Sequence, residues 1–112
     1  LITSMVRATT FDSLLSEHKV KRLDILHVDT EGYDYEILKQ VDFARWEIPL
    51  LLYESMHLSV EDRADCEEML RRAGYDLLST EMDTVALRVH GPRPLPAALL
   101  QRFEALKAQA AG

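Results

Sequence analysis

Two short apolar runs set the frame for this chain. Leu23-Asp24-Ile25-Leu26-His27-Val28-Asp29 and Ile48-Pro49-Leu50-Leu51-Leu52-Tyr53-Glu54 are nearly continuous in apolar residues, and each closes on a carboxylate. Runs of that length and density suit strands covered on both faces, because a half-exposed strand alternates apolar with polar. Pro49 cannot donate to a ladder, and it stands at the start of its run, where that is tolerated. Around the two runs the apolar spacing becomes helical. The chain therefore reads as alternating helix and strand, an α/β class with mostly parallel pairing.

Phe11, Leu14, Leu15 and His18 recur at i, i+3, i+4 and i+7, so a helix is expected over Thr9 to His18, with Thr9 and Asp12 as its capping signature. A second is expected over Tyr33 to Val41, with Tyr33, Ile37, Leu38 and Val41 on one side. Ser59 opens the best-marked helix. Glu61 and Asp62 load its first turn, Cys66, Met69, Leu70 and Ala73 form its stripe, Arg71 and Arg72 close its last turn, and Gly74 takes the C′ position. Tyr75 to Ser79 and Thr84 to Val89 read as strands joined by a turn around Glu81-Met82-Asp83. That turn is too short for a crossover helix, so the pair must be antiparallel. Gly91 to Pro96 reads as a stiff linker to a last helix striped by Leu99, Phe103 and Leu106, whose end from Ala108 to Gly112 is expected to fray.

The charge balance narrows the partners. Nineteen acidic residues against 13 basic ones give a net charge of -6, and no basic cluster is interleaved with aromatics. A nucleic-acid partner is therefore not expected, since phosphate binding needs a basic face. No apolar run reaches the length of a membrane span. Cys66 is the lone cysteine, so no internal disulfide forms and a reducing compartment, the cytoplasm, is expected. The sequence opens on Leu1 with neither an initiator Met nor a leader pattern, which reads as a start inside a longer protein.

Chemistry concentrates in Val28-Asp29-Thr30-Glu31-Gly32-Tyr33-Asp34. Open α/β sheets put ligands at the carboxyl ends of their strands, where loops and helix N-termini converge. Asp29 closes a strand there and Glu31 follows in the turn. Gly32 suits either a sharp turn or the close approach of a ligand. Such a carboxylate acts as a general base, binds a metal, or, with Asp34, caps the next helix. Glu54 ends the neighbouring run and His57 follows three residues on, so both reach the same edge of the sheet. Cys66, Trp46 and Tyr53 are expected to pack rather than to react or stack on a ligand.

The block Thr10-Phe11-Asp12-Ser13-Leu14-Leu15, then Leu23 to Gly32, then Glu36-Ile37-Leu38, resembles the signature of FkbM-type methyltransferases, in which a strand ending I-D-V-E-G follows T-L-D-D-L-L and precedes E-x-x-V-L. The likeness runs over roughly residues 6 to 89. His27 stands where that family usually has Lys, Thr30 where it has an aliphatic residue, and Tyr33-Asp34-Tyr35 replaces a smaller segment. The resemblance implies a Rossmann-like class I sheet of order 3-2-1-4-5-7-6, of which residues 1–90 hold the C-terminal part, strands 4 to 7, with a terminal antiparallel hairpin. Residues 91–112 follow as linker and helix. It implies S-adenosylmethionine as cofactor and methylation of a small-molecule hydroxyl on a sugar or secondary metabolite. Asp29 and Gly32 would then lie at the cofactor, Asp29 would be base or metal ligand, Glu31 would orient, Glu54 would join the catalytic group and His57 would contact the acceptor. A divalent cation is compatible with these carboxylates. The four glycines lie too far apart for the family's glycine-rich turn, so the N-terminal half of the domain is expected to be missing here. Two other readings stay open: a metal-dependent hydrolase or phosphotransferase using Asp29, Glu31 and Glu54, and a non-catalytic interaction module.

Overall fold

The computed structural model describes residues 23–111, and the helix expected over Thr9 to His18 lies outside them. The two apolar runs form β1 (Ile25–Val28) and β2 (Leu50–Glu54), paired in parallel from Ile25↔Leu50 to Val28↔Tyr53. Both are shorter than the runs themselves. Their coverage is also unequal. Leu26, Val28, Leu51 and Tyr53 on one face are almost fully buried, while Ile25 on the other is 43% exposed and Leu50 and Leu52 are half-buried. Unbroken apolarity thus overstated the cover: among the described residues, one face is sealed and the other is partly open.

The parallel connection from β1 to β2 passes through two short helices, α1 (Asp34–Leu38) and α2 (Phe43–Trp46), where the spacing suggested one. The helix expected over Tyr33 to Val41 ends early, at Leu38, and a second begins past that span at Asp42. Its carboxylate accepts from Ala44 N at 3.1 Å and Arg45 N at 3.2 Å, an N-cap that starts a new helix. Ile37, Leu38 and Val41 face the core as expected. Tyr33 does not: it is the residue before α1, with non-helical backbone, and it is 60% exposed.

The helix marked by Ser59 is α3 (Val60–Arg72), and its sequence signals all operate. Ser59 Oγ accepts from Asp62 N at 3.1 Å. At the other end Tyr75 N donates to Leu70 O and Gly74 N to Arg71 O, both at 3.0 Å, the paired bonds of a Schellman motif. Gly74 has φ +99, and a Cβ there would lie 2.6 Å from His90 O, so no other residue fits. Cys66 and Leu70 are fully buried against Leu26, Leu51 and Tyr53 in one core cluster.

The chain ends in β3 (Asp76–Ser79), β4 (Asp83–Leu87) and α4 (Ala97–Ala111). The hairpin is antiparallel, and its second strand inserts beside β2, giving the sheet order β1-β2-β4-β3. Three strands run one way and β4 runs against them. Among the described residues two of the three ladders are antiparallel, so mostly parallel pairing does not hold for this part of the sheet. Arg93 donates to Leu23 O at 2.9 Å and pairs with Asp24, and Lys107 pairs with Asp76 at 2.6 Å. The C-terminal segment is so tied to both outer strands. Phe103 is buried, but Leu106, expected on the same stripe, is 36% exposed.

Candidate active site

The register that aligns Val28 with Tyr53 brings the next two residues, Asp29 and Glu54, to the carboxyl ends of neighbouring parallel strands. Both therefore stand on one edge of the sheet. Asp29 is exposed. The chain then reverses through two residues with left-handed backbone, Glu31 at φ +52 and Gly32 at φ +118. The conformation costs a non-glycine residue roughly 1 kcal/mol, so Glu31 is held there by what surrounds it. At Gly32 the backbone angle is the reason for glycine and not crowding, because a Cβ would sit at an ordinary 3.9 Å from His57 Cβ and O. This contact also shows that the turn after β1 touches the loop after β2.

Asp34 has a role that reading along the chain assigned to capping. It is fully buried, and α1 has no side-chain cap bond. Its Oδ1 instead accepts from Thr30 N at 3.0 Å and from the Thr30 hydroxyl, and its Oδ2 accepts from Glu54 N at 2.8 Å. The one available clue was Thr30, a hydroxyl where the resembling pattern has an aliphatic residue. The Glu54 partner, 20 residues away, leaves no local mark.

With Asp29 exposed, Glu54 is the more enclosed carboxyl at the strand ends. Its side chain is 16% exposed, and Oε1 is buried with no hydrogen-bond partner among the described residues. His57 Nε2 lies 3.4 Å from it, a charge contact without hydrogen-bond geometry, and the ring is 45% exposed. Burial pushes the Glu54 carboxyl above its ordinary range. The negative charge of Asp29 adds to this, His57 opposes it, and Asp34 and Glu31 raise it further. Behind the edge a chain of hydroxyls is satisfied internally: Thr84 Oγ1 donates to Ser55 Oγ at 3.0 Å and lies 2.8 Å from Ser79 Oγ.

The structure thus brings Asp29, Glu31, Gly32, Glu54 and His57 to one edge. Among the described residues, no group of three or more His, Cys, Asp or Glu side chains is arranged to hold a metal ion. Asp29, Glu31 and Glu54 are thus not gathered into a three-ligand cation site. Cys66 is buried, with its thiol pushed up to about 11 by burial, and it belongs to the core. Trp46 and Tyr53 pack there too. A surface cavity lined by Tyr35, Asp65, Glu68, Met69 and Arg72 holds none of the edge residues. Among the described residues, no helix is long and apolar enough to cross a membrane.

Searches of curated proteins and of solved structures return no match. Residues 2–77, a span that includes every residue of this edge from Asp29 to His57, match the family model of the methyltransferase FkbM domain.

Proposed function

Because the chain belongs to the FkbM methyltransferase family, we propose that it supplies the acceptor-facing edge of an S-adenosylmethionine-dependent O-methyltransferase acting on a sugar or secondary-metabolite hydroxyl. One observation carries this reading: a buried carboxylate oxygen on Glu54, without a hydrogen-bond partner among the described residues and 3.4 Å from His57 Nε2, set beside Asp29 at the carboxyl edge of parallel strands. The sheet order supports the class I assignment. With β1, β2, β3 and β4 as strands 4, 5, 6 and 7 of that fold, the order β1-β2-β4-β3 is 4-5-7-6.

The residues fit the cofactor's charge. Segments 29–33 and 54–59 hold Asp29, Glu31 and Glu54 and no Lys or Arg, which suits a sulfonium cation. When bound, S-adenosylmethionine supplies an electrophilic methyl group. Asp29, with the turn at Gly32, would face its charged end, while the resemblance puts the glycine-rich grip on a strand beyond the outer side of β1. A hydroxyl is a weak nucleophile until its proton leaves. The carboxylate of Glu54, whose side chain is 16% exposed, takes that proton, and a raised proton affinity brings it closer to the operating pH, where a base works best. Asp29 is exposed, so the base assignment passes from it to Glu54. The Asp29 charge keeps the Glu54 affinity high, Glu31 orients the reactants, and His57 contacts the acceptor beside Glu54.

The test is Glu54→Gln in the full-length protein. Turnover is expected to fall at least about a hundredfold, with cofactor binding changed much less. Asp29→Asn is expected to lose less than Glu54→Gln. Near-normal turnover by Glu54→Gln removes the base from this edge.

A further inference from the structure

Just past β2 the chain is held by the hairpin turn. Ser55 N donates to Met82 O of the β3–β4 turn at 2.9 Å. Backbone amides alternate sides along a strand, so Glu54 N, one residue earlier, points the other way, toward β1. β1 has ended at Val28, and the acceptor that meets this amide is Asp34 Oδ2, at 2.8 Å. The other oxygen of the same carboxylate takes the Thr30 amide at 3.0 Å and the Thr30 hydroxyl. One buried side chain therefore stands in for the missing continuation of β1 and joins two loops.

We propose that Asp34 is a positioning residue for methyl transfer: its carboxylate latches the turn after β1 to the end of β2 and so fixes Asp29 and Glu54 relative to each other. This rests on the reading of the site given above. Asp34 is fully buried, so no ligand reaches it, and it acts only through Thr30 and Glu54. Two charge-assisted bonds to backbone amides of different segments make those segments one body. Without the carboxylate each part-buried amide lacks its acceptor, and the gap between the turn and the end of β2 is free to open. Reacting groups tolerate little of this, since a displacement of about 1 Å costs on the order of a hundredfold in rate. The charges facing Glu54 are Asp29, Glu31 and Asp34 from the turn and the start of α1, and His57 from its own loop.

The variant Asp34→Asn keeps size but turns one acceptor into a donor. NMR exchange of the Glu54 amide in the full chain, read against Leu52 in the same strand, is expected to speed at least about tenfold. In the full-length protein kcat is expected to fall at least about tenfold, with the cofactor Kd within about threefold. The limb of the pH–rate profile set by Glu54 should move to lower pH, because a like charge has gone. A role in folding alone would lower the amount of active enzyme and leave that limb in place. If Asp34→Asn does not fold, Thr30→Val removes a single donor and should shift exchange the same way by about twofold or more. Unchanged Glu54 exchange in a folded variant overturns the latch. Faster exchange with unchanged kcat overturns the positioning role. An inactive wild type sinks the methyltransferase reading and the positioning role with it, and the exchange data then report the latch on their own.

Discussion

Glu54 gives the folded protein a pH signature independent of any assay of turnover. Its carboxyl is held above the ordinary range by burial and by Asp29, so the folded state binds its proton more tightly than the unfolded chain does. The stabilising contribution is present below the unfolded pKa and is lost as pH rises through the folded one. Glu54→Gln mimics the protonated form. It is therefore expected to match the wild type in thermal stability near pH 3 and to exceed it near pH 7, as scanning calorimetry at the two pH values would show. Equal stability at pH 7 would mean that the carboxylate is comfortable where it lies. At Gly74 the expectation is the reverse. Substitution by Ala meets both φ +99 and the His90 carbonyl, and should cost roughly 2 kcal/mol or more by denaturant titration.

At the scale of elements, α3 owes its ends to single residues. Ser59→Ala removes the bond to Asp62 N and is expected to cost about 1 kcal/mol, measurable as a lower urea midpoint at unchanged slope. This helix was legible because cap, charged turns, stripe and C′ glycine all act within a few residues of where they stand in the chain. The region after β1 was not. Asp42, just past the expected helix, starts another because its carboxylate accepts from the Ala44 and Arg45 amides, a local cap that periodicity does not register. Arg88 shows the same limit. It donates to Ala73 O at 2.9 Å and Phe43 O at 2.8 Å, joining the C-cap of α3 to the first residue of α2 from a position just past β4. Partners 15 and 45 residues away are visible only once the chain has folded.

For the whole molecule, the parallel pair, the shared edge of Asp29 and Glu54 and the antiparallel hairpin followed from where apolar runs start and stop and how long the connections are. The placement of β4 beside β2 came only from the family likeness. In the described sheet β1 is an outer strand with Ile25 43% exposed. Such an edge templates pairing with another chain. The 112-residue chain alone is expected to self-associate, and Ile25→Lys to reduce this, both by light scattering. With the glycine-rich grip assigned elsewhere, calorimetric titration of the same chain with S-adenosylmethionine is expected to show no measurable heat of binding. Micromolar binding by a monomer would relocate the cofactor site.

The ties of the C-terminal segment have a consequence along the strand direction. Arg93 at the start of β1, Lys107 at the start of β3 and Arg88 past the end of β4 all lie at the amino edge of the sheet, while Asp29, Glu31, Glu54 and Asp83 lie at the opposite edge. Asp24 and Asp76 neutralise Arg93 and Lys107 where they stand, whereas segments 29–33 and 54–59 of the candidate rim hold no Lys or Arg against their three carboxylates. A cationic ligand diffusing nearby would be turned toward that rim before touching it, and its capture rate would fall as salt shortens the reach of the field.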